Sequence, residues 1–414
     1  MFALLLMPVY IAFHVHILIW LFKWISACVN RPVGKGFKIG FSIVYGFLSL
    51  TFLIGFLLPH GAAERFLKGV GNYALGITIY LAFAMLVANI AFAIYRSVRK
   101  KNILKAQGLS VKDKEAKKKV VVPGNRKLFI LGGSVVILFV AVMSIWGSIN
   151  AKIVRTTTYD ITINKAAEVE DMKILLVSDL HLGYNIGIDQ MQQMADAINA
   201  QDADIVVIAG DIFDNEYDAL EDPDALIEIF KSIKSKHGMY AVYGNHDIAE
   251  KILAGFTFGS SSDVKEADVR MDEFLEKAGI INLRDEGVMI DGVYFYGRPD
   301  YARLGRGITV RKTVQEIMAE APAGVPVITI DHQPKELHEK AAAGIDVDLG
   351  GHTHDGQFFP LNISSRIIWE NSAGCIHIDE KMHSIVTSGV GLFGPNMRVG
   401  TIAEVVAIQV HFAG

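Results

Sequence analysis

The chain has 414 residues, enough for two or three domains, and at 51% hydrophobic residues with a mean hydropathy of +0.33 it is unusually apolar for a soluble protein. Residues 1–150 carry 18 Lys+Arg against 3 Asp+Glu, whereas residues 151–414 carry 22 against 41. Because the basic half is also the apolar half, this asymmetry indicates contact with a membrane, and the acidic second half argues against nucleic acid as a partner.

Four apolar runs in the first half are each long enough to cross a bilayer, which takes ~20 helical residues. They cover residues 2–29, 37–59, 73–95 and 128–149. The first run lacks a basic start and a small-residue cleavage site, so we interpret it as a retained span and not as a signal peptide. The sequence therefore predicts a domain of four transmembrane helices over residues 1–150, followed by a second domain over residues 151–414.

The positions of Lys and Arg predict how these spans are oriented. The loop between the third and fourth runs, residues 96–127, holds 12 Lys+Arg against Asp113 and Glu115, and loops of this composition stay in the cytoplasm. The fourth span would then lead outward, so we expect an integral protein of the cell membrane with an extracytoplasmic second domain. The reverse topology is the alternative, and it would require translocation of the polybasic loop.

After residue 170, short apolar runs alternate with amphipathic stretches, which is the pattern of an α/β domain. The pattern predicts strands at residues 173–177, 204–209, 239–242, 325–330 and 347–349. It predicts helices at residues 188–200, 224–234, 269–278 and 335–343. Beyond residue 365 the helical period disappears, and we predict strands at 366–370, 376–378, 383–387 and 402–410, which suggest a second sheet packed on the first.

Polar segments follow five of these strands at the point where each strand ends. They are Ser178-Asp179-Leu180-His181, Gly210-Asp211-Ile212-Phe213-Asp214, Gly244-Asn245-His246-Asp247, Asp331-His332-Gln333 and Gly350-Gly351-His352-Thr353-His354. Ligands of open α/β sheets bind outside the carboxyl ends of the strands. We therefore expect the five segments to converge on one edge.

The side chains in these segments are of the types that bind divalent transition metals. Carboxylate, imidazole and amide oxygen suit Mn, Fe or Zn, and no thiolate takes part. Asp179 and His181 are two residues apart, so in an extended segment both face the same way, and the same holds for His352 and His354. Asp211 is the natural carboxylate to bridge two ions. Taken singly, each segment could be a turn, a cap or a structural histidine, but five in this order favour a metal site.

These segments resemble the calcineurin-like metallophosphoesterase family, over roughly residues 170–411. The further motifs His332-Gln333-Pro334, Gly356-Gln357 and Thr387-Ser388-Gly389-Val390-Gly391 are similar to its membrane-anchored bacterial branch. The resemblance implies a four-layer α/β/β/α domain after the transmembrane helices. It also implies a cofactor of two divalent metal ions, which would be Mn, Fe or Zn.

The resemblance further implies a role for each site residue. One metal would be held by Asp179, His181, Asp211 and His354. The second would be held by Asp211, Asn245, His332 and His352. His246 would protonate the leaving oxygen, and Asp214 would orient a histidine from outside the ligand set.

A phosphoester or pyrophosphate bond would be the target, attacked in line by a water that the metals activate. The membrane half favours a phospholipid or another phosphorylated envelope molecule as substrate. A transport or signalling protein with a non-catalytic, metal-binding phosphoesterase-like domain is the alternative, because four spans exceed what an anchor needs.

Two positions depart from the family pattern. Asp331 stands before His332 where a small residue is usual, and Asp355 follows His354 where glycine is common. These acids would either repel a dianionic monoester, which favours a diester, or be solvated loop residues. A basic and aromatic stretch is a further candidate, either to hold a substrate phosphate or as an exposed loop. It consists of Arg298, Tyr301, Arg303 and Arg306.

Overall fold

The computed structural model describes residues 2–110, 120–249, 252–253, 256–257, 267–305 and 307–414. Arg306 and residues 111–119 of the polybasic loop lie outside these ranges. The chain divides into two compact units, which are Met1–Thr51 with Tyr73–Trp146 and Phe52–Asn72 with Gly147–Gly414. The connection between the second and third apolar runs therefore belongs to the same unit as the C-terminal domain.

Long apolar helices dominate the N-terminal part. They are α1 (Phe2–Val29), α2 (Lys35–Leu57), α3 (Ala62–Ala106) and α4 (Arg126–Ala151). Within the described residues these four are long and apolar enough to cross a membrane, which confirms the predicted set of spans. Large side chains such as Ile43, Leu86 and Leu138 are exposed on them, as expected of surfaces that face lipid tails.

Strands and helices alternate in the second unit. The strands are β1 (Val154–Ile163), β2 (Asp171–Val177), β3 (Ile205–Ala209), β4 (Met239–Val242), β5 (Ile252–Leu253), β6 (Phe256–Thr257), β7 (Ile280–Asn282), β8 (Glu286–Ile290), β9 (Val293–Gly297), β10 (Val327–Ile330), β11 (Val347–Gly350), β12 (Gly374–Ile378), β13 (Met382–Val386) and β14 (Ala403–Phe412). The helices are α5 (Ile188–Asn199), α6 (Pro223–Lys231), α7 (Val269–Ala278), α8 (Val314–Glu320), α9 (Leu337–Ala343) and α10 (Leu361–Ile368).

Local sequence signals fix several of these helix ends. Helix α6 begins after Asp222, whose carboxylate accepts the N–H of Ala225 at 3.1 Å, because side-chain oxygens at this position satisfy the first free N–H groups. Helix α8 begins with a capping box between Thr313 and Glu316. Helix α7 ends at Gly279, whose φ of 73° lies in the left-handed region that glycine adopts without strain.

Most of the described strands form two six-stranded sheets. In the first sheet the order is β1-β14-β2-β3-β4-β7, and β2, β3, β4 and β7 run parallel. In the second sheet the order is β12-β13-β11-β10-β9-β8, and β13, β11, β10 and β9 run parallel. The carboxyl ends of neighbouring parallel strands lie at one edge of each sheet, and the polar segments follow these ends.

Three apolar layers hold the two sheets and the helices together. Helices α5, α6 and α7 cover the outer face of the first sheet, with Met191, Leu226 and Phe274 fully buried. The inner faces of the two sheets pack on each other through residues such as Leu176 and Ile330. Helices α8 and α9 cover the outer face of the second sheet. The order helix, sheet, sheet, helix confirms the predicted four-layer α/β/β/α domain.

One predicted strand is wrong. Residues 366–370 were expected to be extended, but residues 361–368 form helix α10 and only Trp369 and Glu370 follow it. The helix begins after Pro360, and its inward side buries the polar residues Asn362 and Ser365. Its apolar residues face outward, which is the inverse of the usual helical pattern. The prediction therefore rested on the β-branched residues Ile367 and Ile368 at the end of the helix, which favour a strand.

Candidate metal centre

The structure brings the five predicted segments together where strands of the two sheets end. Asp211 follows β3 of the first sheet and His332 follows β10 of the second, yet Asp211 Oδ2 and His332 Nε2 are 3.1 Å apart. Gly244 permits a close approach of the third segment, because a Cβ there would lie 2.2 Å from Asp211 Oδ1. The convergence expected from the sequence is therefore present in the fold.

The backbone of these segments is not extended. Asp179, His181, Asp211, His352 and His354 have φ values of 53°, 48°, 51°, 72° and 50°. Aspartate and histidine tolerate this left-handed conformation better than most residues, and such residues cluster at functional sites where the surrounding structure holds them. The prediction that these residues are extended is therefore wrong, and His352 and His354 belong to two different groups of side chains.

The first group consists of Asp179, His181 and His354. His181 Nε2 lies 3.0 Å from His354 Nε2, and His354 Nε2 lies 3.4 Å from Asp179 Oδ1. Asp211 Oδ2 approaches His181 Nε2 to 3.7 Å. The three side chains of the group offer ligand atoms that all lie within 4.8 Å of one another, as a metal ion requires.

The second group consists of Asp211, His332 and His352. His332 Nε2 lies 3.1 Å from Asp211 Oδ2 and 3.3 Å from His352 Nδ1. Asn245 Oδ1 is buried and has no hydrogen-bond donor among the described residues. An orphan buried acceptor costs ~1–3 kcal/mol, so a cation near the amide oxygen would remove a penalty that the protein otherwise bears.

The distances fit ligands around two metal ions. Ligand atoms ~2.0–2.1 Å from one tetrahedral ion would be roughly 3.3–3.4 Å from each other. The separations within the two groups are 3.0, 3.4, 3.1 and 3.3 Å. Asp211 lies beside both groups, so its position suits the bridging carboxylate that the sequence suggested.

Hydrogen bonds to the backbone orient one imidazole and one carboxylate of the two groups. His332 Nδ1 donates to the backbone oxygen of Ala209 at 2.7 Å, which leaves the Nε2 lone pair directed at Asp211. The backbone N–H of His352 donates to both carboxylate oxygens of Asp179, at 3.0 and 2.9 Å. Such outer contacts fix the tautomer and direction of metal-binding side chains.

The electrostatics of the buried site favour a cation. Burial lowers the pKa of His332, but the carboxylate of Asp211 outweighs it and raises the pKa well above its usual value. The same charge attracts a divalent ion as well as a proton. Burial and the positive charges of His181 and Arg398 lower the pKa of His354, which keeps that imidazole neutral with a lone pair available.

His246 and Asp214 lie at the rim of the two groups. The ring of His246 lies 5.0 Å from that of His181, and its backbone N–H donates to Asp211 at 2.7 Å. Asp214 Oδ1 lies 3.4 Å from His181 Nδ1 and 3.8 Å from His246 Nδ1. Asp214 therefore reaches both histidines from outside the ligand set.

Asn215 was not recognised from the sequence, and it fixes the tautomer of His246. Asn215 Nδ2 donates to the backbone oxygen of Ile248 at 2.8 Å, so its Oδ1 faces His246 Nδ1 and must accept. His246 Nδ1 therefore carries a hydrogen, and Nε2 is the atom that can give or take a proton.

Asp247 is a second residue without a predicted role. Its Oδ1 accepts the N–H of Phe213 at 2.8 Å, and its Oδ2 accepts the N–H of Gly244 at 2.7 Å. One fully buried carboxylate thus links the segment of Asp211 to that of His246. In the sequence, the one indication of a role for Asp247 was its place beside Asn245 and His246.

The interpretation of Asp331 and Asp355 as solvated loop residues is wrong. Both side chains are buried, and both pair with cations. Asp331 contacts three cations at 2.7–3.0 Å, which are Arg298, Arg311 and Lys340. Asp355 pairs with Arg366 at 2.6 Å. Arg298, which was a candidate for binding a substrate phosphate, is fully buried in this network.

We expect Asp331→Asn to lower the free energy of unfolding by ~3–5 kcal/mol, because it removes the fully buried carboxylate that three cations share and leaves them only Glu336 and Asp348 as partners. Burial raises the pKa of Asp331, but Lys340, Arg311 and Arg298 outweigh it and hold the pKa below its usual value. At ~2–4 °C per kcal/mol for a domain of this size, calorimetry should show a melting temperature roughly 6–20 °C lower.

Asp218→Asn is the matched control for that experiment. Asp218 also pairs with an arginine, Arg270, at 2.7 Å, but its side chain is 48% exposed. A surface pair contributes ~0–1 kcal/mol. Equal melting temperatures for the two variants would contradict the assigned role of the buried network.

The first two turns of α3 contact the loops beside the site. Lys68 Nζ lies 2.9 Å from Glu64 and 3.5 Å from Glu216, which is next to Asn215. The hydroxyl of Tyr184 lies 2.8 Å from both carboxylates and donates to one of them at a time. Arg65 donates to the backbone oxygen of Leu220 at 2.9 Å. These residues form what we call the α2–α3 clamp, which consists of Glu64, Arg65 and Lys68.

A cation with two aromatic neighbours also lies near the second group. Lys335 Nζ is 4.2 Å from the ring of Tyr301 and 5.6 Å from the ring of Trp369. The ring of Trp369 in turn lies 5.3 Å from that of His352. The sequence suggested a phosphate-binding stretch in which Tyr301 acts with neighbouring arginines. In the structure a lysine, Lys335, contacts Tyr301, and this lysine directly follows the motif His332-Gln333-Pro334.

Comparison with known proteins gives one family for this region. Residues 172–356 match the model of the calcineurin-like phosphoesterase family. The chain is 27% identical over 288 residues to a Danio rerio protein named "Transmembrane protein with metallophosphoesterase domain", which covers 66% of the chain and 61% of that protein. A Bos taurus protein of the same name is 27% identical over 297 residues, which covers 70% of the chain and 64% of that protein. The chain thus spans less than two-thirds of the length of these two relatives.

A bacterial relative matches over its whole length. An uncharacterized metallophosphoesterase of Aquifex aeolicus is 26% identical over 280 residues, which covers 67% of the chain and 100% of that protein. All three similarities extend beyond the residues that the family model matches.

Proposed function

We propose that the chain is a metal-dependent hydrolase of phosphoester or pyrophosphate bonds, because residues 172–356 match the model of the calcineurin-like phosphoesterase family. The observation that carries the proposal is the pair of buried ligand groups, which meet at Asp211 and have His246 at their rim. An arrangement that served only to bind metal would not need a histidine of defined tautomer beside it.

Each predicted residue has a place in this proposal. The first ion would be held by Asp179, His181, Asp211 and His354, and the second by Asp211, Asn245, His332 and His352. When bound, the two ions would supply Lewis acidity toward the phosphoryl oxygens and lower the pKa of a water molecule at the site. We propose Mn²⁺, Fe or Zn²⁺ for these positions, because the ligands are imidazole, carboxylate and amide oxygen.

His246 is the proposed general acid. Its Nδ1 hydrogen is held by Asn215 Oδ1, so the proton that reaches the leaving oxygen would come from Nε2. Asp214 lies 3.8 Å from the ring and would stabilise the charged imidazole. The ring of Phe393 lies 5.5 Å from that of His246 and provides an apolar wall on this side.

We propose a lipid or another envelope-associated molecule as the substrate, with the site on the extracytoplasmic side of the cell membrane. The segment Phe52–Asn72 belongs to the same unit as the domain, so the α2–α3 connection and the domain share one side. The loop of residues 96–127, with 12 Lys+Arg, lies at the other end of α3 and is expected in the cytoplasm.

The proposal is tested by hydrolysis of bis-p-nitrophenyl phosphate and p-nitrophenyl phosphate by the full chain purified in detergent. We expect turnover that depends on Mn²⁺ or another divalent ion and disappears after treatment with a chelator. The ratio of the two rates measures whether diesters are preferred, as a phosphodiesterase would show. Stoichiometric metal binding without turnover of either compound or of extracted lipids would contradict the proposal.

A further inference from the structure

Helix α10 presents its apolar side chains outward. Leu361, Ile363, Ile367 and Ile368 are 49%, 51%, 79% and 74% exposed, whereas Asn362 and Ser365 are buried. At 3.6 residues per turn the four apolar residues fall within one arc of roughly 160°. A surface helix in water has the opposite distribution, and an apolar patch of this kind marks a site of contact.

The fold connects α10 to the end of a membrane helix. Near the end of α4, Asn150 Nδ2 donates to the backbone oxygens of Arg398 and Thr401 at 3.1 and 2.9 Å. The neighbouring Val399 is paired by backbone hydrogen bonds with Gln357 at 3.0 Å and with Phe359 at 2.7 Å. Helix α10 begins two residues after Phe359, so one pair of hydrogen-bonded segments separates it from the contact that Asn150 of α4 makes with the domain.

The same helix borders both groups of metal-binding side chains. Arg366 binds the carboxylate of Asp355, which follows His354, through Nε at 3.0 Å and Nη2 at 2.6 Å. Trp369 follows the helix, and its ring lies 5.3 Å from that of His352. Lys335, beside Trp369, adds a positive charge that suits a phosphate headgroup.

We propose that α10 lies in the membrane surface, with Leu361, Ile363, Ile367 and Ile368 among the lipid headgroups and upper acyl chains. Short helices with an apolar face bury that face ~5–10 Å into this boundary. The membrane is the occupant that the structure favours, because hydrogen bonds through Val399 link the start of α10 to the end of α4. If the proposed function holds, Trp369 and Lys335 would lie between the second group and the phosphoesters of bilayer lipids.

The test measures the depth of single labelled cysteines in the full chain. Cys28 and Cys375 are replaced by serine, and Ile367→Cys or Ile363→Cys is labelled with bimane. The protein is reconstituted in phosphatidylethanolamine and phosphatidylglycerol vesicles that contain brominated lipid. We expect blue-shifted emission and loss of fluorescence through bromine quenching at both positions, which are exposed and therefore tolerate the label.

Ile281→Cys is the matched control. Ile281 is 50% exposed and lies on β7, at one edge of the first sheet. Strand β1, which follows α4 in the chain, lies at the opposite edge. At ~4.8 Å per strand the two edges are roughly 24 Å apart. Labels on α10 that are quenched no more than the label at position 281 would overturn the proposal, and so would cross-linking of α10 between two copies of the chain. Turnover of bis-p-nitrophenyl phosphate, measured on the same samples, tests the proposed function separately.

Discussion

Asp211→Ala is expected to abolish metal-dependent hydrolysis and to weaken binding of both ions. Asp211 Oδ2 lies 3.1 Å from His332 and 3.7 Å from His181, so its removal affects both groups of ligands. Loss of an outer partner of a metal ligand already costs ~10–100-fold in affinity or activity. The loss of a carboxylate shared by two ions should therefore exceed that range, and turnover should fall to the background rate.

The measurement combines metal content of the purified protein with the kcat/KM for bis-p-nitrophenyl phosphate. Asp224→Ala is the control, because Asp224 is an exposed aspartate in the first turn of α6 and belongs to neither group of ligands. A protein that loses Asp211 but keeps its metal and its turnover would show that the two groups do not form the active centre.

His246→Ala is expected to reduce turnover of a diester with an alkyl leaving group by ~10²–10⁴-fold. The leaving oxygen of an alkyl ester needs a proton, which we propose that His246 Nε2 gives. A p-nitrophenolate leaves without protonation, so the same variant should lose much less activity with bis-p-nitrophenyl phosphate. Metal content should stay unchanged, which distinguishes this variant from Asp211→Ala.

The comparison of the two leaving groups decides the role of His246. Equal losses with both substrates would mean that His246 binds the phosphate or supports the fold, and does not act as the acid. His338→Ala is a suitable control, because the His338 side chain is 63% exposed and pairs with the carboxylates of Asp379 and Glu370 at 2.9 and 3.0 Å. Asn215→Ala should give an intermediate loss, because the ring of His246 remains but its tautomer is no longer fixed.

The sequence predicted the site better than it predicted the local geometry. Residue types at strand ends were enough to bring Asp179, Asp211 and His332 to one place, because parallel strands share an edge. The direction of each side chain was not predictable from spacing, because the five left-handed backbone positions depend on contacts between loops. Asp247 shows this dependence, since its carboxylate binds the backbone of two segments more than thirty residues apart in the chain.

Some elements were missed although a signal was present. The hairpin of β8 and β9 turns at Asp291-Gly292, and this dipeptide is a strong hairpin signal. Strand β1 is rich in the β-branched residues Thr156, Thr157 and Thr158, which favour strands. The partners of Asp331 gave no such signal, because Arg298, Arg311 and Lys340 come from separate elements that only the folded chain brings together.

The α2–α3 clamp has a practical consequence for anyone who expresses the C-terminal half alone. A fragment that starts at residue 151 would keep every proposed metal ligand, yet it would lose Glu64, Arg65 and Lys68 together. Tyr184 and Glu216 would then face solvent where they now meet a lysine, and the turn that carries Asn215 would lose its support on that side. We expect such a fragment to bind metal normally but to hydrolyse its substrate slowly. Attaching residues 52–72 to the fragment through a flexible linker should restore the rate of hydrolysis.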